Sequence, residues 1–140
     1  MRVLVQGWLT IFGLVCLAIA LAHLFIGSAS IIGGGRVNAT IDSDMRFYAV
    51  LFAAFGVGFM WAAKDLDRRA PVVNLLGLIF FVGGLARLLA WAQTGTPNWF
   101  YLVMIPVELV IPIVNWMLLT GVRRSTPAAP SGLFTSSTNA

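Results

Sequence analysis

The chain has 140 residues, of which 59% are apolar and only 10% charged, and its mean hydropathy is +0.91. A soluble domain of this size needs a polar skin that so few charged residues cannot make, so lipid is the expected solvent over most of its surface. The formal charge of +4 does not point to a nucleic-acid partner, because the basic residues sit in short clusters beside apolar runs, without a basic stripe or stacking platform.

Four apolar runs, at 3–26, 46–63, 71–92 and 98–122, are each predicted to be a spanning helix. Each is close to the roughly 20 residues that about 30 Å of hydrocarbon requires. None alternates apolar and polar residues as a membrane strand would. The expected fold is therefore all-α, an integral membrane four-helix bundle in one domain over 1–124. The Ser-, Thr-, Pro- and Ala-rich segment 125–140 reads as a disordered cytoplasmic tail.

The first run follows Arg2 and contains Ala20-Leu21-Ala22, which resembles a signal-peptide cleavage site. It is long enough to span, and is read as an uncleaved helix. Cys16, the lone cysteine, can form no intrachain disulfide and reads as a small apolar residue. Gly13, Cys16, Ala20 and His23 recur at helical spacing as one small, weakly polar stripe. The segment 27–45 is a glycine-rich loop in which Asn38-Ala39-Thr40 matches a glycosylation pattern. Ser43 or Asp44 is expected to cap the second helix, with Arg46 at the interface. Phe47, Phe52, Phe55 and Phe59 form an aromatic stripe on that helix, for lipid contact or docking.

Residues 64–69 are predicted to be a charged hairpin before Pro71, which suits the first turn of the third helix. Gly77, Gly84 and Arg87 fall on one side of that helix, and 93–97 is an uncharged turn. In the fourth helix Tyr101, Glu108, Pro112 and Asn115 line up, and Pro106 and Pro112 should bend it. All five tryptophans fall near predicted helix ends, where indoles settle in a bilayer.

Lysine and arginine set the orientation. Arg2, Lys64, Arg68, Arg69, Arg123 and Arg124 fall on one side of the predicted topology, and only Arg36 and Arg46 on the other. The first side should face the cytoplasm, which puts both chain ends inside and the loops 27–45 and 93–97 outside.

Arg87 and Glu108 carry charge at membrane depth, where it costs several kcal/mol unless paired or wetted. They lie on consecutive helices joined by a tight turn, and a bidentate pair is expected, as a lock between helices or as the wall of a ligand pocket. His23, Asp44, Arg46, Tyr48 and Tyr101 fall in the same outer half and would complete an outward-opening polar vestibule. One histidine with scattered carboxylates makes no metal site. No catalytic motif is present and no cofactor is implied.

Asp44-Met45-Arg46-Phe47-Tyr48-Ala49, Phe81-Val82-Gly83-Gly84-Leu85-Ala86-Arg87 and Glu108-Leu109-Val110 resemble the small bacterial membrane family catalogued as domain of unknown function 4345, particularly its actinobacterial members. The resemblance runs over about 6–119. It implies a four-helix membrane fold and no defined activity.

The expected role is that of an accessory or interaction subunit of a larger membrane complex, in a bacterial plasma membrane. The expected partners are membrane lipids and that complex, or further copies of the chain. The alternative is a binder, or an enzyme, of an amphiphile such as a lipid or quinone.

Overall fold

The computed structural model describes residues 1–124, so the tail expected at 125–140 lies outside the described residues. Helix α1 runs Arg2–Ile26 and continues into a single 3-10 turn, Gly27–Ser30. Helices α2, α3 and α4 follow at Ala39–Ala63, Leu66–Thr94 and Trp99–Arg124. All four are long and apolar enough to cross a membrane, with spans of 24 to 29 residues. The protein is an all-α membrane protein of four helices.

Two helix starts differ from the sequence expectation. Helix α2 begins at Ala39 rather than 46, and its cap is Asn38, whose side chain accepts from the Ile41 N–H at 3.0 Å. Ser43 and Asp44 therefore lie inside the helix. The apolar run marks where hydrocarbon begins, whereas the helix needs only a cap and an acid in its first turn, here Asp42. Helix α3 begins at Leu66, with the Asp65 side chain accepting from the Arg68 N–H at 3.4 Å. The charged stretch 64–69 is thus mostly helix, and Pro71 falls in the second turn, where it removes a single N–H from the ladder.

The helices pack up-down-up-down, but unequally. Helix α1 lies closely along α2, and α3 along α4; α2 and α3 touch less, and α1 and α4 hardly at all. The molecule is therefore two helical hairpins set side by side. Gly13 and Gly56 make the first hairpin tight. A Cβ on either would lie 2.6 Å from the backbone oxygen of the other. Such contact is how helices gain dispersion energy where lipid offers no hydrophobic drive.

The shared core sits in the half that holds the start of α1 and the end of α4. It comprises Val5, Leu9, Phe12, Phe59, Leu66, Val73 and Leu119 with their neighbours. Phe12 packs edge-on against Phe59 and Phe80, with ring centroids 5.1 and 5.3 Å apart. Phe59 is fully buried, and Phe52 and Phe55 pack on the same cluster, so of the expected aromatic stripe only Phe47 lies open. Spacing is the reason, since Phe52, Phe55 and Phe59 share the inward face with Ala49 and Phe47 does not.

Beyond Phe80 the hairpins part, and every residue from 85 to 96 is exposed. At that far end the loop 31–38 reaches across to α4. A Cβ on Gly33, at φ +75, would lie 2.7 Å from Nδ2 of Asn98.

Candidate functional site

The inward face of α3 reads Ala70, Val73, Gly77, Phe80, Gly84 and Arg87, alternating steps of three and four. That of α4 reads Tyr101, Ile105, Glu108, Pro112, Asn115, Leu119 and Val122 in the same rhythm. A repeat of 3.5 keeps one seam facing a neighbour along the whole helix. Arg87 and Glu108 occupy seam positions that would otherwise hold apolar side chains. Gly84, one turn before Arg87, lets α4 come close, since a Cβ there would meet the Glu108 Cβ at 3.1 Å.

Arg87 Nε donates to both oxygens of Glu108, each at 2.8 Å. A fork-to-fork pair would use two arginine nitrogens. Here one nitrogen bisects the carboxylate, and neither terminal nitrogen has a hydrogen-bond partner among the described residues. Glu108 is 7% exposed, whereas the Arg87 side chain is 42% exposed. The carboxylate is thus sunk between the helices, and the guanidinium is turned outward with its carbon 5.3 Å from the Tyr101 ring centroid.

That outward edge lines a cleft of about 100 Å³ between the outer ends of α3 and α4, with Trp91, Thr94, Pro97, Tyr101 and Ile105. Two of its side-chain donors are already engaged. Trp91 Nε1 donates to Thr96 Oγ1 at 3.2 Å, and the Thr94 hydroxyl to the Ala90 carbonyl at 2.7 Å. A larger groove of about 230 Å³ lies further in between the same helices, against Asn74, Gly77, Phe81, Pro112 and Trp116. It is apolar apart from Asn74 and has no ionisable side chain in its wall, so the smaller cleft is the chemically informative one.

The remaining vestibule residues fall in different places. His23 lies within electrostatic reach of Arg87, and its Nδ1 is 2.5 Å from Ser30 Oγ. The Ser30 hydroxyl donates to the Gly27 carbonyl at 2.6 Å, which makes Nδ1 the donor to serine and leaves Nε2 as the acceptor. Arg46 is spent on α1. Its Nε donates to Asp42 at 2.8 Å and its Nη1 to the Leu24 carbonyl at 2.6 Å, while Asp42 accepts from the Ser28 N–H at 2.8 Å. This clamp closes the end of α1 over Gly27, at φ +67, where a Cβ would meet Asp42 and Arg46 at 2.5 Å. Asp44 is exposed, and Tyr48 is exposed with its ring against Phe47. Both stand off the inward face marked by Ala49, so neither joins the Arg87–Glu108 site.

One polar contact was not evident from sequence. Asn115, 2% exposed, accepts from Trp8 Nε1 at 2.7 Å and links α4 to α1, while its Nδ2 has no partner among the described residues. Its alignment with Glu108 is readable; its pairing across the bundle with a tryptophan is not. Among the described residues no group of three His, Cys, Asp or Glu could hold a metal ion.

The model of one protein family, Domain of unknown function (DUF4345), matches residues 4–119. No curated protein and no solved structure matches the chain.

Proposed function

We propose that this chain, which belongs to the DUF4345 family, binds an amphiphilic small molecule, such as a lipid or quinone, in the outer half of the membrane. The observation that carries this reading is the guanidinium of Arg87, held by one nitrogen, with its other two unpartnered among the described residues, in a side chain that lines a cleft. Charge at membrane depth is costly, and an arginine needed only to lock two helices would be expected to spend its fork on its partner. The exposure of residues 85–96, which flank the cleft, gives an amphiphile lateral access. We place the protein in a bacterial plasma membrane with both chain ends in the cytoplasm, on the distribution of arginine and lysine.

A second reading, an accessory subunit of a larger membrane complex or a homo-oligomer, is favoured by one observation. The backbones of α1 and α4 seldom approach, although Trp8 and Asn115 bridge them, so this is the loosest seam against which a partner's helix could pack.

One experiment separates the two. The tagged protein is purified in a mild detergent and everything that travels with it is identified by mass spectrometry. A lone protein carrying a specific lipid or quinone is the expected result. A larger complex in fixed ratio, with no bound amphiphile, would replace it with the accessory-subunit reading.

A further inference from the structure

We infer that the polar end of the bound molecule is an anion, a carboxylate or phosphate head, held by the two terminal nitrogens of Arg87 while Nε keeps Glu108. This rests on the amphiphile reading above and adds the chemical class. The cleft's free side-chain groups are the two Nη of Arg87 and the Tyr101 hydroxyl, because Trp91 and Thr94 are already bonded. A guanidinium end offering two parallel N–H donors matches the paired oxygens of a carboxylate or phosphate.

Size points the same way. About 100 Å³ holds a head group and no more, since pockets that enclose a whole small molecule run to roughly 300–1,000 Å³. The rest of the ligand must stay outside the cleft, in the bilayer.

Glu108 is a positioning residue in this arrangement. Its two hydrogen bonds fix Nε and turn the other two nitrogens outward. Its charge also opposes a second anion bound to the same guanidinium. Glu108→Gln keeps an acceptor for Nε and removes that opposition, so it should tighten the binding of an anion. A residue that merely propped up the fold could only weaken it. Of the other charged groups of this half, Asp42 and Arg46 neutralise each other at the end of α1, and Arg36 and Asp44 stand exposed.

The test uses the full-length protein in phosphatidylcholine nanodiscs, titrated with dibromostearate and with the corresponding dibrominated alcohol. Quenching of Trp91, which lines the cleft, reports occupancy, and Trp91→Phe identifies its part of the signal. Dibromostearate should bind saturably, at least about tenfold more tightly than the alcohol, as expected for a charged hydrogen-bonded head. Glu108→Gln should tighten the carboxylate about tenfold or more and leave the alcohol unchanged. Arg87→Gln in the Glu108→Gln background keeps the site neutral, so that the fold survives, and should remove the preference for the carboxylate. Equal affinity for acid and alcohol would overturn the anionic head and leave the amphiphile reading standing. Saturable binding of neither would overturn both. Inorganic phosphate competing as well as the fatty acid would show a site for free anions, and the amphiphile would be wrong.

Discussion

At the scale of single residues, Arg87–Glu108 is the ion pair that joins α3 to α4 among the described residues. The carboxylate is buried, and Arg87 is its one hydrogen-bond partner among the described residues, so removing that arginine strands a buried carboxylate. Arg87→Leu should cost about 3 kcal/mol, the low end for a broken buried pair because the arginine is half exposed. Arg87→Leu with Glu108→Leu should recover most of that loss. Unfolding in mixed detergent measures both, and a single mutant as stable as the parent would show that the pair holds nothing together. The two positions can be picked from sequence because charge is rare in this chain. Their geometry cannot, because the outward turn of the guanidinium depends on the seat beside Gly84 and on the Tyr101 ring, and neither is a matter of spacing. Asp44 and Tyr48 show the opposite case: they share the outer half with the pair, and one position of helix phase takes them away from it.

Between elements, close approach decides which surfaces meet. Gly56→Ala places a methyl against the Gly13 carbonyl at 2.6 Å, backbone against side chain, and should destabilise the first hairpin by about 2 kcal/mol. Gly83→Ala meets nothing within 4 Å and should be neutral or stabilising by up to about 1 kcal/mol, from helix propensity alone. Thermal unfolding of the two variants side by side checks the contrast; equal effects would mean that Gly13 and Gly56 do not touch. The small stripe of α1 is legible as a packing face, whereas its partner is not, since Gly56 and Gly58 lie on different faces of α2, toward α1 and toward Leu76 of α3, and spacing alone does not say which face meets which helix. The start of α2 is hidden for another reason: hydropathy finds where oil begins, and Ala39–Ala63 starts before that.

Across the whole molecule, one half is a shared aromatic and aliphatic core, and the other carries a cleft within the second hairpin, between α3 and α4. The orientation proposed above, with the shared core on the cytoplasmic side, is tested by labelling. Ile32→Cys, in the outer loop, should react with a membrane-impermeant maleimide on intact cells, and Lys64→Cys only after lysis. Native Cys16, buried in α1, should react in neither case. Labelling of Lys64→Cys from outside would invert the topology.

The pair also constrains how the chain can be made. Arg87 and Glu108 are 21 positions apart across one tight turn, so each is the other's counter-ion only when both helices are present. Helix α3 alone would enter the bilayer bearing an arginine penalised by about 2.5–3.5 kcal/mol, and α4 alone a carboxylate penalised comparably. Offered to the insertion machinery together, they form a hairpin without net charge at that depth. The second hairpin is therefore expected to be a single unit of biogenesis. A ribosome stalled before α4 emerges should hold α3 at the lateral gate, waiting for its partner, rather than release it into lipid.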